Sequence, residues 1–142
     1  MREILFRGRP VSVGEYFFFS QVWKDNCKDG FVYGSLVVDN DRYYISVSAM
    51  RSINVCVNNG TTSMIEIIPE TVSQFTGFTN ISKQRIFEND IVRTTIVHGN
   101  RIGKVVFSDG SFHIFVRDYG VLPITTCITV IGDIHNNPEL LV

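Results

Sequence analysis

Short runs of β-branched and aromatic residues, separated by turn-forming pairs, constrain the fold of this 142-residue chain more than any other feature. The pairs combine Asp, Asn and Gly, which tolerate the positive φ angles that tight hairpin turns require. They are Asp29-Gly30, Asp39-Asn40-Asp41, Asn59-Gly60, Gly99-Asn100 and Asp109-Gly110. No apolar stripe of helical period continues beyond about two turns. The sequence therefore predicts a mostly-β protein of antiparallel hairpins with at most short helical turns.

The predicted strands are rich in Val, Ile, Thr, Phe and Tyr, whose stiff or flat side chains suit a pleated surface. They span residues 3–7, 15–23, 31–38, 43–47, 53–57, 64–68, 91–97, 102–108, 112–117 and 128–134. The polar segment 69–89 interrupts this series of strands. It begins with Pro69 and Glu70, which both suit the start of a helix, and we expect a helical turn from there to Phe75. A second turn is expected near the end of the chain, with Asn137 as its cap and Pro138 in first position. We predict one domain, 1–142, in which antiparallel sub-lobes 1–68 and 90–142 are joined by 69–89.

Composition narrows the functional classes. A net charge of −1 and an isoelectric point near 6.3 give no general attraction to nucleic acid or to an anionic membrane. Apolar runs such as YFFF (16–19) are too short to span a bilayer, and the N-terminus lacks the apolar region of a secretion signal. Three widely spaced cysteines without a CxxC pair indicate reduced thiols, and Cys127 is predicted to face the core. We therefore expect a cytoplasmic protein without membrane association.

The motif Gly132-Asp133-Ile134-His135 is the strongest hint of catalysis, because calcineurin-like metallophosphoesterases begin their metal site with a strand ending in Gly-Asp-x-His. Residues two apart on a strand share a face, so Asp133 and His135 meet the first geometric requirement. A two-metal site needs further Asp, Asn or His ligands from later strand ends, and the seven residues after His135 contain no Asp or His. We expect no metal, no cofactor and no enzymatic activity, with a metal-dependent hydrolase as the remote alternative.

Nucleophilic and nucleotide-binding motifs are also missing from the sequence. There is no G-x-S-x-G, and no cysteine has a histidine beside it. The glycines at positions 99, 103 and 110 are predicted to serve hairpins rather than a strand-to-helix phosphate loop.

A cluster of basic residues near several phenylalanines supports a binding role. The basic residues are Lys83, Arg85, Arg93, Arg101 and Lys104. The rhythm of strand, turn and strand from residue 90 to residue 107 is similar to that of small SH3-like barrels, which often bind nucleic acid or peptides. Basic side chains would contact phosphates and exposed aromatic rings would stack on bases. The alternative is that the phenylalanines form the core and the basic residues are solvated strand positions.

The segment YFFF (16–19) is apolar on both faces of its predicted strand. Such a strand is buried on both sides, either in a two-layer core or at an interface between copies of the chain. Both readings stay open, so a homo-oligomer is one expected possibility.

Five passages resemble, in order, the signature of the YopX-like family of phage and prophage proteins. They are MREILFRG (1–8), FVYGSLV (31–37), IPETVSQFTGF (68–78), RIFENDIV (85–92) and VIGDIHNNPELL (130–141). Two departures stand out: Asn89 occupies a position where the family pattern usually has Gly, and the insert 79–84 lacks the usual Asn-Gly. Because Asn also tolerates a left-handed backbone, we expect the turn at residue 89 to be kept.

The resemblance implies a phage- or prophage-encoded, mostly-β protein in the cytoplasm of a bacterial host. The family has no established biochemical activity and no defined catalytic or ligand-binding residues, so none are transferred. We expect a non-enzymatic accessory or protein-interaction protein with an unknown protein partner. Nucleic-acid binding by a small β-barrel is the alternative.

Overall fold

The computed structural model describes residues 3–11, 27–48, 62–96 and 99–142. The predicted strands 15–23 and 53–57 lie outside these ranges, as does the YFFF segment. The described chain is mostly β, as predicted, and its strands form two antiparallel sheets. Its helical elements are two short 3-10 helices, Pro69–Thr71 and Pro138–Leu141. Among the described residues, no helix is long and apolar enough to cross a lipid bilayer.

The described strands are numbered in chain order, and most agree with runs predicted from the sequence. They are β1 Phe6–Gly8, β2 Cys27–Lys28, β3 Phe31–Asp39, β4 Arg42–Ser48, β5 Thr62–Ile67, β6 Ser73–Thr79, β7 Arg85–Phe87, β8 Asp90–Ile96, β9 Gly99–Ser108, β10 Ser111–Val116, β11 Gly120–Leu122 and β12 Thr129–Asp133.

The chain divides into two compact units, and the first is Ile4–Gln74. Its strands pair in the order β5-β4-β3-β1, β2 also pairs with β3, and the first two residues of β6 pair with β1. At the β3–β4 hairpin, Asn40 and Asp41 have φ angles of 49° and 65°, as the turn residues predict. The core of this unit is formed by buried aliphatic side chains: Val32, Ile45, Val47, Ile65 and Ile67.

The second unit contains Phe75–Val142 together with Glu3. Phe75 and Thr79 of β6 pair with β7, and the remaining strands form a five-stranded sheet in the order β11-β10-β9-β8-β12. Its core is again aliphatic: Ile86, Val92, Val105, Ile114, Val116, Ile124 and Ile128. Among the described residues, no strand pairing joins β11 to β12. The SH3-like barrel therefore stays a prediction.

Segment 69–89 has more regular structure than its polar composition suggested. The helical turn that begins at Pro69 ends at Thr71, because Val72 is already extended and β6 follows. Thr71 Oγ1 donates a hydrogen bond to the Ile68 carbonyl at 2.6 Å and accepts one from the Arg9 N–H at 2.8 Å. Strands β6 and β7 occupy much of the rest, and the boundary between the two compact units lies inside the segment.

The sequence prediction for Cys127 is wrong. Cys127 is exposed rather than in the core, because it lies in a turn before β12, where its N–H donates to Thr125 Oγ1. Gly103 lies within β9, inside the predicted strand 102–108 and in one arm of the β9–β10 hairpin. A Cβ there would lie 2.6 Å from Ile114 Cγ2 and 2.7 Å from the Phe115 carbonyl oxygen, so the close approach of β10 requires glycine.

Candidate binding surface

The five-stranded sheet has two chemically different faces, which the strand register defines. Residues directly opposite each other on neighbouring strands share a face, and successive residues alternate between faces. Val105 and Ile114 are paired and both belong to the core, so they lie on the inner face. We call the opposite side the outer face. Its members along the central strands include Arg93, Ile102, Lys104, Phe115 and Val121.

Apolar side chains on the outer face are strongly exposed. The relative exposure is 39% for Ile102, 48% for Phe115 and 59% for Val121. Lys104, Phe115 and Val121 form one row across three strands, since Lys104 pairs with Phe115 and Phe115 pairs with Val121. Arg93 on β8 pairs with Ile102 on β9, one step along the same face. The result is a continuous strip of apolar groups with a cation on each of two strands.

The charged residues at the outer positions of β8 to β11 are all basic. These positions include the cations Arg93 and Lys104 and no Asp or Glu. The acidic residues Asp109 and Asp118 lie instead in the hairpin turns, with φ angles of 51° and 63°. The face therefore suits an anionic partner.

A contact between Ser108 and His113 was not foreseen from the sequence. Ser108 Oγ lies 2.9 Å from His113 Nε2, and both residues are on the outer face beside the β9–β10 turn. The two residues are five positions apart in sequence, and the register of the hairpin makes them diagonal neighbours. The contact links β9 to β10 at the end of the exposed strip.

The predicted basic cluster is distributed over the second unit. Arg93 and Lys104 share the outer face, whereas Arg101 pairs with Thr94 and lies on the inner side. The Arg101 guanidinium lies 5.6 Å from the ring centroid of Tyr119 and also donates to the Asn100 carbonyl at 3.3 Å. Only Arg93 and Lys104 are thus brought together on the outer face.

The other two predicted basic residues lie outside the five-stranded sheet. Lys83 is exposed in the turn between β6 and β7, with a φ angle of 62°. Arg85 in β7 donates two hydrogen bonds to the Glu3 carboxylate, at 3.0 and 3.1 Å. Its guanidinium also lies 5.9 Å from the Phe75 ring centroid. Arg85 is therefore already engaged by an acidic and an aromatic side chain.

The phenylalanines near the basic cluster divide between core and surface. Phe87 is buried and lies 5.6 Å from Phe75, centroid to centroid. Phe107 and Phe112 pair across the β9–β10 hairpin in an edge-to-face contact at 4.9 Å, although Phe107 is exposed. Phe115 is the phenylalanine that the outer face presents.

The Gly132–His135 motif is organised as a turn around Asp133. Its buried carboxylate accepts hydrogen bonds from the backbone N–H groups of His135 and Asn136, each at 2.9 Å, and from the Asn136 side-chain amide at 2.8 Å. Both carboxylate oxygens are therefore engaged by nearby N–H groups. Within the described ranges, no group of three or more His, Cys, Asp or Glu side chains is placed to hold a metal ion.

Asn137 occupies the cap position of the second 3-10 helix but makes no side-chain cap bond. Its amide oxygen instead accepts a hydrogen bond from the Asp133 N–H at 3.3 Å. The predicted turn, with Asn137 in the cap position and Pro138 first, is therefore confirmed, but the side-chain oxygen of Asn137 bonds the preceding turn rather than the helix.

The segment RIFENDIV (85–92) forms a junction between β7 and β8. Asn89 has a φ angle of 71°, which confirms the expected left-handed backbone. Its N–H donates to the Val105 carbonyl at 2.9 Å, and its own carbonyl accepts from the Ile134 N–H at 3.0 Å. Asp90 is buried, and its carboxylate accepts from the Phe87 N–H at 2.8 Å.

The insert 79–84 is closed by Asn80, a buried residue that sequence reasoning did not single out. Its side-chain oxygen accepts from the Ser82 and Gln84 N–H groups, each at 3.0 Å, and its amide nitrogen donates to Gln84 Oε1 at 3.1 Å. The insert therefore has a closed turn although it lacks an Asn-Gly pair.

Comparisons with known proteins agree with the resemblance read from the sequence. Among solved structures, the chain is similar to the protein yopX from Bacillus subtilis, with 18% identity, a TM-score of 0.56 and full coverage of both chains. It is also similar to the protein EF1440 from Enterococcus faecalis, with 18% identity, a TM-score of 0.50 and full coverage of both chains. At these identities the likeness shows the fold alone. No protein with a curated description matches the chain. The family described as YopX protein matches residues 21–142, and the chain therefore belongs to the YopX family.

Proposed function

We propose that this protein is a non-enzymatic accessory protein, encoded by a phage or prophage, that acts in the cytoplasm of its bacterial host by binding a protein partner. The observation that carries the proposal is the exposed apolar strip of the outer face. Ile102, Phe115 and Val121 lie on neighbouring strands of one sheet and share one side of it. Contiguous exposed apolar groups of this kind, bordered by polar residues, are typical of protein interaction sites.

Several buried polar side chains form hydrogen bonds to the backbone, which favours a structural rather than a catalytic role for these residues. Asp90, Asp133 and Asn80 each accept hydrogen bonds from backbone N–H groups of nearby turns. Thr76 Oγ1 also bonds the backbone, but as a donor: it donates a hydrogen bond to the Ile86 carbonyl at 2.7 Å. A group that already holds the backbone in this way is poorly placed to transfer protons to a substrate.

Site-specific photo-crosslinking in bacterial cells tests the proposal. A photoreactive phenylalanine analogue replaces Phe115 on the outer face, and the matched control carries it at Val38, which is 54% exposed in the first unit. We expect discrete adducts from position 115 that are absent at position 38. Substituting Val121 with Glu in the same protein should remove them. If both positions give the same weak background, the outer face is not a partner site.

Nucleic-acid binding is the second candidate, and one contact favours it. Lys104 and the exposed ring of Phe115 are direct cross-strand neighbours, which places a cation beside a stacking surface. The predicted surface also includes Lys83, Arg85, Arg93 and Arg101. A gel shift at low salt with short DNA and RNA should then show retardation that fades as salt rises, because counterions are released on binding. Absence of retardation at micromolar protein would exclude this candidate.

A further inference from the structure

We infer that the outer face binds an acidic segment of a partner protein, with apolar side chains of that segment docking on Ile102, Phe115 and Val121. The inference rests on the proposed function, because it names the chemistry of the partner at that same surface. Two features of the face carry it: the kind of apolar group exposed and the sign of the charge beside it.

The apolar groups favour protein over nucleic acid. Two of the three exposed side chains are aliphatic, Ile102 and Val121, and only Phe115 offers a ring for stacking. Single-stranded nucleic acids bind through several aromatic platforms that stack successive bases along a basic groove. Aliphatic groups gain instead from burial against the apolar side chains of a peptide or protein.

The charges on the face define the second property of the partner. Arg93 is the direct neighbour of Ile102, and Lys104 is the direct neighbour of Phe115. Because no Asp or Glu occupies an outer position in β8 to β11, these cations have no acidic neighbour on their own face there. Carboxylates placed between the apolar anchors of a peptide would lie beside both cations. The chain as a whole has a net charge of −1, so the attraction is local to this face.

Selection of short random peptides on the purified full-length chain tests the inference. We expect the selected peptides to be rich in Asp and Glu next to aromatic or aliphatic residues. The best peptides should bind Lys104→Glu at least about tenfold more weakly than the native chain, a change of about 1.4 kcal/mol. Selection on the double variant Arg93→Glu with Lys104→Glu should turn the preference towards Lys and Arg.

Matched variants separate local contacts from changes in net charge or folding. Lys83→Glu makes the same charge change on an exposed turn outside the five-stranded sheet and should leave peptide affinity unchanged. Val121→Ser should weaken binding, whereas Ile81→Ser, at a side chain that is 80% exposed in the same unit, should not. Thermal unfolding of each variant confirms that it is folded before binding is measured.

Three outcomes overturn the inference. The first is selection of peptides without an acidic excess, or with equal affinity for the native chain and the double variant. The second is binding of labelled oligothymidine that Lys104→Glu abolishes, which assigns the face to nucleic acid. The third is concentration-dependent self-association in sedimentation that Val121→Ser abolishes, which assigns it to a second copy. In each case adducts from position 115 in cells would still support a partner site, whereas their absence would remove the proposed function itself.

Discussion

The buried carboxylate of Asp90 accepts a hydrogen bond from the backbone N–H of Phe87 across 2.8 Å, which closes the turn between β7 and β8. Phe87 is itself buried, so this hydrogen bond lies in the interior, where loss of an acceptor is costly. This contact gives Asp90 of the segment RIFENDIV a structural role.

Asp90→Ala should therefore lower the free energy of unfolding by about 1–3 kcal/mol, because a buried N–H group loses its acceptor. Asp90→Asn is the matched control, since its amide oxygen still accepts the bond and it should retain much of the stability. Urea unfolding followed by circular dichroism measures both variants. An Ala variant as stable as the native chain would contradict the role assigned to Asp90.

Asn89 provides a test of the backbone at the same junction. Its φ angle of 71° lies in the left-handed region, which costs a residue with a Cβ roughly 1–2 kcal/mol and a β-branched residue more. Asn89→Gly should leave the unfolding midpoint unchanged or raise it, whereas Asn89→Val should lower stability by about 2 kcal/mol or more. Both variants are measured in urea against the native chain. Equal midpoints for Gly and Val would show that the turn relaxes to another conformation.

The local sequence pattern was enough to predict those strands and turns that depend on a few consecutive residues. The run 31–38 became β3, and Asp109-Gly110 became the β9–β10 turn, with φ angles of 51° and 80°. Strands β6 and β7 were missed because β6, with the sequence SQFTGFT, is largely polar, and β7 has only three residues. β6 pairs with β1, which is distant in sequence, and composition carries no record of that pairing. β7 pairs with the neighbouring β6, but at only two positions and with an irregular register.

The candidate surface was only partly readable in advance. Arg101 and Lys104 are three residues apart on one strand, so the period of two already places them on opposite faces. The prediction of one surface from five basic residues did not take this alternation between faces into account. By contrast, the Arg85–Glu3 contact joins residues 82 positions apart, and no local pattern could predict it.

Gly103 tests the packing between β9 and β10. A Cβ at this position would lie 2.6 Å from Ile114 Cγ2 and 2.7 Å from the Phe115 carbonyl oxygen, so the strands would have to separate. Gly103→Ala should cost about 1–3 kcal/mol, the usual cost of overpacking. Gly110→Ala is the matched control: nothing lies within 4 Å of its Cβ, and its cost comes only from a φ angle of 80°. Urea unfolding should therefore find Gly103→Ala the less stable variant, and the reverse order would contradict the close approach of β10.

Asp133 decides between a structural and a metal-binding reading of the Gly132–His135 motif. Its carboxylate accepts from two backbone N–H groups and from the Asn136 amide, so Asp133→Ala should lower stability by about 2–3 kcal/mol in the presence of a chelator. Zn²⁺ or Mn²⁺ should leave the melting temperature of the native chain unchanged, whereas a bound ion would raise it in proportion to the logarithm of its concentration. Differential scanning fluorimetry with and without the metals measures both effects. A rise in melting temperature that Asp133→Ala abolishes would restore the metal site; loss of stability without any response to metal would establish Asp133 as the acceptor that holds the turn.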